Sequence, residues 1–301
     1  MSSMQAYIRD LEQQYVAVTD FTGPAPLSRR DVSNSIFTGS GDSLASAMLA
    51  EALSDYAARA VDPLELLSNP QIIQDRRLYI ISVSGRTITN IRLAKQYAHN
   101  PTTAITTNID SDLASLTDDI IKLEFPSSDM LTAGSISFLN SALVCMSLVR
   151  PLALDNMTDI MKQAKRDAGM VQQTGRTFFV GSQYTFPLTM YAAAKSYEIL
   201  GTYANYSRAE QFAHMELFSI KENDTVILFD EMNLRAHLIS ESLVAEGVQC
   251  IVTDPSLSGN VESILYHIVY AQYLPLNGAE QDEVYFMREH ALRGISDAAI
   301  Y

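Results

Sequence analysis

A chain of 301 residues, 47% of them hydrophobic, can bury one large core or two ordinary ones. Its formal net charge of −14 opposes the clustered Lys and Arg that nucleic acid or anionic lipid requires, so neither is expected as a partner. The two cysteines, Cys145 and Cys250, sit in apolar stretches where a small hydrophobe serves equally well, which argues against a disulfide framework and for a reducing compartment.

At the N-terminus, Arg9, Asp10 and Glu12 fall where a signal peptide needs its apolar centre. No segment carries the roughly 18 apolar residues of a membrane span, so a soluble, cytoplasmic protein is expected. Residues 5–18 suit a leading helix, followed by a loop containing Gly23, Pro24 and Pro26. From there strand and helix signals alternate. Residues 35–38 suit a strand, and the stretch from Asp42 to Tyr56 places Leu44, Met48, Leu49, Ala52, Leu53 and Tyr56 at helical spacing. Residues 78–83 read as a buried strand, 84–87 as a turn, 88–99 as a helix, 103–106 and 120–123 as strands, and 135–149 as an apolar helix.

Residues 151–170 break the pattern with Pro151, Asp155 and several charges. A second series then begins: strand 177–180, helix 187–200, strand 225–229, helix 234–246, strand 249–253 and helix 261–274. The tail from Pro275 to Tyr301 suits a helix and an ordered end. Two such series predict an α/β protein of two similar subdomains, residues 1–160 with the leading helix and residues 161–301 with the tail, each a mostly parallel sheet flanked by helices.

Two turns carry chemistry. Gly39-Ser40-Gly41-Asp42-Ser43 follows a strand and opens a helix, where backbone N–H groups and the helix dipole favour an anion. It lacks the third glycine of a dinucleotide fingerprint, Leu44 standing in its place, and no Gly-Lys-Ser/Thr follows, so NAD and ATP are not expected and no cofactor is predicted. Ser82-Val83-Ser84-Gly85-Arg86-Thr87 groups three hydroxyls around a glycine between strand and helix. Hydroxyls there can donate to phosphate oxygens, although Ser84 or Thr87 suits a simple helix cap as well. Arg86 adds a possible phosphate cation.

The segments Ile36–Tyr56 and Leu78–Tyr97 together resemble the N-terminal half of a SIS (sugar isomerase) domain, marked by a G-x-G-x-S turn and an S-x-S-G-x-T turn. The resemblance implies a flavodoxin-like, three-layer αβα fold. It also implies that Ser43, Ser82, Ser84 and Thr87, with the backbone of Val83, hold a sugar phosphate, with Gly41 and Asp42 beside them. Asp42 and Arg86 depart from the family's usual neutral residue and glutamate at these positions. Further on, Ile105-Thr106-Thr107-Asn108 and Ser111-Asp112-Leu113-Ala114 resemble the family's next strand and loop.

By spacing alone, Lys195 and Glu198 make an ordinary helix-surface ion pair and His214 an ordinary structural histidine. However, the stretch from Gly181 to Ile220 is similar, without a gap, to the isomerase domains of glucosamine-6-phosphate synthases. There the resemblance implies that Glu198 moves a proton between C1 and C2 of an open-chain sugar, that His214 assists ring opening, and that Lys195 sits by the reacting end. Arg293 is a loose candidate for the family's C-terminal lysine.

The function expected is aldose–ketose isomerisation of a hexose or hexosamine 6-phosphate. An amino-sugar phosphate deaminase and a non-catalytic phosphosugar sensor are the alternatives. By resemblance a homodimer is expected, its active site shared between subunits. Full synthase activity is not expected, since the chain begins Met1-Ser2-Ser3 and leaves no room for a glutamine-hydrolysing domain. The five histidines show no metal-ligand spacing, and no metal is predicted.

Overall fold

A computed structural model describes residues 2–301 except 127–129, 131, 156, 230–233, 254–256, 258–259 and 280–289. Its contacts divide the chain into two units, one formed by Asp20–Ser127, Gly134–Ala153 and His290–Tyr301, the other by Met1–Thr19, Ser128–Ala133 and Leu154–Glu289.

The first unit holds a five-stranded parallel sheet of β1 (Ser35–Gly39), β2 (Arg59–Ala60), β3 (Arg77–Ile81), β4 (Thr102–Thr106) and β5 (Asp119–Lys122), ordered β2-β1-β3-β4-β5. Consecutive side chains of a strand point to opposite faces, and here both faces are covered. Phe37, Tyr79, Ile81 and Ile105 face one layer, where Ala47 and Ala50 of α3 (Asp42–Leu53) meet Val144, Cys145 and Leu148 of α6 (Ile136–Val149). On the other face, Ile36, Leu78, Ile80 and Ala104 meet Leu66 of α4 (Pro63–Ser68) and Leu93 and Ala94 of α5 (Ile88–Gln96). A short α2 (Arg29–Ser33) precedes β1 and is capped by the Ser28 side chain, which accepts from the Asp31 N–H. The helix α12 (His290–Ile300) belongs to this unit.

In the second unit β6 (Thr177–Gly181), β7 (Ala204–Arg208), β8 (Thr225–Leu228) and β9 (Gln249–Val252) form a parallel sheet ordered β7-β6-β8-β9. Phe178, Val180, Val226 and Leu228 pack with Phe212 of α9 (Ala209–His214) and Leu243 of α10 (Leu234–Ala245). The opposite side carries α8 (Phe186–Lys195) and α11 (Asn260–Tyr273), and α7 (Met157–Gly169) lies against α11. The leading helix α1 (Ser3–Thr19) packs on α7, so it belongs with the second sheet and not with the first. Residues 151–170, expected to break the pattern, instead supply α7, with Met157, Ile160, Met161, Ala164 and Ala168 on its buried face.

Both cysteines are free, Cys145 in the first core, where burial pushes its thiol far up from the ordinary value. His267 on α11 is fully buried, with Thr253 Oγ1 2.7 Å from Nε2 and the Ser263 carbonyl 2.8 Å from Nδ1. Burial lowers its pKa to about 4 from 6.5. A base whose folded pKa is depressed leaves the unfolded state to take up the proton first, so stability falls as pH drops from 6.5 towards 4. We predict that this window costs up to about 3 kcal/mol. In His267→Gln the slope of unfolding free energy against pH should flatten between these values, as measured by urea titrations, and an unchanged slope refutes the assignment.

Candidate functional site

In the first sheet the chain leaves β1 towards β2 on one side, and it leaves β3 towards β4 on the other. The carboxyl ends of β1 and β3 therefore flank the topological switch point, where an open α/β sheet has a crevice with helices diverging to opposite faces. Both chemistry-bearing turns lie there. The register pairs Gly39 with Ile81, which brings Ser40 and Ser82 out of the sheet side by side. A Cβ on Gly39 would come within 2.6 Å of Ser43 Cβ and 2.8 Å of the Ile81 carbonyl, so the absence of a side chain lets the two turns close up.

Within the second turn, Ser82 Oγ and Thr87 Oγ1 stand 3.3 Å apart, and Ser84 Oγ accepts from the Arg86 N–H at 3.3 Å. Thr87 occupies the N-cap position of α5 without making a side-chain capping bond. The simple cap reading therefore does not hold for Thr87, whose hydroxyl faces Ser82. The Val83 carbonyl is committed to the turn itself, accepting from Thr106 Oγ1 at 3.1 Å, Thr107 Oγ1 at 2.7 Å and the Thr107 N–H at 3.1 Å. Gly85, at φ +67°, packs against Ser111 and accepts from the Leu113 N–H at 3.2 Å. Asn90 reaches back from α5 to the Ile81 carbonyl at 3.3 Å. Ser43 and Asp42 lie in the first turn of α3, behind Gly41 at φ +59°. Exposed Arg86 lies 5.6 Å below the ring of Tyr301. Hydroxyls and two helix N-termini converging on one crevice are suited to a small anion.

In the second unit α8 is α-helical through Lys195 and then widens into a π turn over Ser196–Leu200, closed by Gly201 at φ +61°. Such turns occur often at functional sites because they re-aim side chains. Lys195 is 0% exposed, with its ammonium on the Glu198 carboxylate and 4.8 Å from the Tyr191 ring centroid. The Glu198 side chain is 36% exposed, so one end of the pair is buried and the other is open to a ligand. The expected surface ion pair is thus half interior. His214 ends α9 with its side chain 70% exposed, and its partner is Glu210, at 3.4 Å, and not Glu198. Arg293 lies on α12 and pairs with Asp297 at 3.5 Å. No group of three or more metal-ligating side chains occurs among the described residues.

Sequence reasoning missed Tyr191, whose position four residues before Lys195 puts both on one helix face. It also missed a repeat of the glycine turn. Gly181-Ser182-Gln183-Tyr184-Thr185 after β6 has Gln183 at φ +48° where the first turn has Gly41, and a Cβ on Gly181 would meet Thr185 Oγ1 at 2.8 Å as one on Gly39 meets Ser43. Here, however, Thr185 Oγ1 already donates to the Ser182 carbonyl at 2.7 Å and accepts from the Ser182 N–H at 2.8 Å, so this hydroxyl serves its own turn.

No family model matches the chain, and no curated protein matches it. Solved structures do. One described as glucosamine-6-phosphate deaminase from Thermotoga maritima aligns over 94% of this chain and 97% of its own, at 16% identity and a TM-score of 0.74. The C-terminal domain of glucosamine-fructose-6-phosphate aminotransferase from Francisella tularensis aligns over 93% and 98%, at 14% identity and 0.70. Tagatose-6-phosphate ketose/aldose isomerase from Escherichia coli aligns over 93% and 92%, at 18% identity and 0.67. No helix among the described residues is long and apolar enough to cross a membrane. Two parallel sheets, each flanked by helices and each with its own switch point, give this chain the SIS-type fold of two subdomains.

Proposed function

We propose that the protein is a cytoplasmic phosphosugar isomerase that interconverts an aldose and a ketose 6-phosphate. The observation that carries this reading is the Lys195–Glu198 pair where α8 passes into the π turn, a partly exposed carboxylate held in place by a buried ammonium. Isomerisation needs one base over the C1–C2 edge, taking a proton from one carbon and returning it to its neighbour through an enediol. Glu198 has that role. The adjacent ammonium favours negative charge developing on the substrate oxygen. His214, exposed at the end of α9, opens the sugar ring, and by the resemblance to glucosamine-6-phosphate synthase isomerase domains it does so in the site of a second subunit of a homodimer. Ser43, Ser82, Ser84 and Thr87, with the Val83 backbone, hold the phosphate.

A second reading, deamination of an amino-sugar phosphate, is favoured by the likeness to the structure described as a deaminase. The two share the proton transfer at C2 and differ in whether ammonia leaves. The test is a thermal-shift screen of hexose and hexosamine 6-phosphates, followed by NMR of each hit in D2O and an ammonia assay. Exchange of the C2 proton without ammonia supports the isomerase, and ammonia release supports the deaminase. A tight hit with neither refutes both in favour of a sensor.

The phosphate role has its own test. Because Thr87 makes no capping bond and only the 3.3 Å contact with Ser82 is lost, Thr87→Val should cost no more than about 1.5 kcal/mol of stability. It should weaken binding of the phosphorylated hit about tenfold, the worth of one charge-assisted hydrogen bond. Loss of stability with unchanged affinity would show a structural hydroxyl only.

A further inference from the structure

The second unit contains a run of buried polar side chains that the fold itself does not require. Gln14 of α1, Gln272 of α11 and Lys195 of α8 are each 0% exposed, and Tyr191 of α8 is 1% exposed. They are joined end to end. Gln14 Nε2 donates to Gln272 Oε1 at 2.9 Å, and Gln272 Nε2 donates to the Tyr191 hydroxyl at 3.0 Å. The face of the same tyrosine ring lies 4.8 Å from Lys195 Nζ, and that ammonium rests on Glu198. Tyr7 of α1 adds a second tie, its hydroxyl donating to the Gln272 backbone carbonyl at 3.1 Å. Positions that a helical bundle would bury cheaply as Leu are here two amides, a phenol and an ammonium.

Such a chain has a directional logic. An aromatic ring held only at its Cβ can turn and tilt, but a ring whose hydroxyl is anchored at the far end keeps one plane. The anchor is a carboxamide whose own orientation is set by Gln14, since its oxygen accepts from that residue and its nitrogen must then face the tyrosine. The ring face in turn attracts the ammonium and fixes how far Nζ extends along the π turn towards Glu198. We propose that Tyr191, Gln272 and Gln14 are positioning residues that hold the Lys195 ammonium against the Glu198 carboxylate, so that the leading helix α1 sets the geometry of the proposed catalytic pair.

This inference rests on the isomerase reading for its kinetic consequence, and its test separates the two. Three variants are compared with the wild-type full chain: Gln272→Leu, Tyr191→Phe and the double variant. Leu and Phe keep the volume, and the double variant removes both partners of the central bond, which protects against a fold lost to one unpaired group. With a substrate from the phosphosugar screen, each single variant should lower kcat about tenfold with KM within twofold. Each should also displace the alkaline limb of the pH profile. The double variant should be no worse than either single one, because one link is broken in all three. A purely structural role would lower stability in each variant and leave the pH limb in place, and that outcome overturns the proposal. Independently of turnover, the 15Nζ resonance of Lys195, assigned with Lys195→Met, should move in both single variants. An unmoved resonance also overturns it. If wild type converts no phosphosugar while that resonance does move, the isomerase reading fails and the positioning of Lys195 stands.

Discussion

Glu198→Gln is expected to lower kcat by on the order of 10³-fold, within the range that a positioned general base contributes, while the phosphosugar still binds. The substitution keeps the side-chain length and a hydrogen-bond acceptor for the Lys195 ammonium but removes the group that takes up a proton. If Glu198 acts as the proposed base and not as a binding group, KM should change by no more than about threefold. The expected signature is therefore a protein that shows the wild-type thermal shift with its sugar phosphate and no exchange of the C2 proton in D2O. Some loss of stability should accompany it, since Lys195 is wholly buried and the charge of Glu198 is gone. Lys195→Met/Glu198→Gln should recover that stability without recovering activity. If Glu198→Gln turns over at the wild-type rate, Glu198 is not the base and the isomerase mechanism drawn here is wrong.

The parts of the structure legible in the sequence are those in which a local pattern and the tertiary role coincide. Residues 78–81 and 226–228 read as strands because a parallel strand covered on both faces needs an uninterrupted apolar run. By contrast, β7, Ala-Asn-Tyr-Ser-Arg, lies at the sheet edge with two of its five residues exposed, so no hydrophobic period marks it and only backbone pairing to β6 makes it a strand. The helix α7 was hidden by Lys162, Lys165 and Arg166, which are the solvent face of an amphipathic helix and not a linker. Neither the packing of α1 on α7 nor the place of α12 with the first sheet leaves a local signal, because each depends on which distant face needs covering.

The site divides in the same way. Hydroxyls grouped around a glycine at a strand end are visible as a motif, and so are Ser82, Ser84 and Thr87. Lys195 and Glu198 are visible as a helical pair, but not that the lysine is interior or that a π turn carries the glutamate. The amide that meets Tyr191 comes from position 272 and is itself held by position 14, and a glutamine on a helix looks like a surface residue until its neighbours are known.

Gly85→Ala should destabilise the protein by about 3 kcal/mol and weaken phosphate binding more than Thr87→Val does. Two separate costs add at this residue. The backbone is at φ +67°, a left-handed conformation that costs any side chain about 1 kcal/mol or more. The new Cβ would also fall 2.1 Å from Ser111 Oγ and 2.4 Å from Ser111 Cβ, and that short, buried side chain has no rotamer that clears both atoms. Either the turn opens or the loop from Asn108 to Leu113 moves away, and the Leu113 N–H donates to the Gly85 carbonyl at 3.2 Å, so both shift together. Opening the turn carries Ser84 and Thr87 off the crevice, which is why affinity falls with stability. The costs are separable: Gly85→Ala/Ser111→Gly removes the overlap and keeps the backbone penalty, so it should recover roughly half of the lost stability by urea unfolding. Full recovery would mean that the left-handed backbone carries no strain, and no recovery would mean that contact with Ser111 is not what holds the turn.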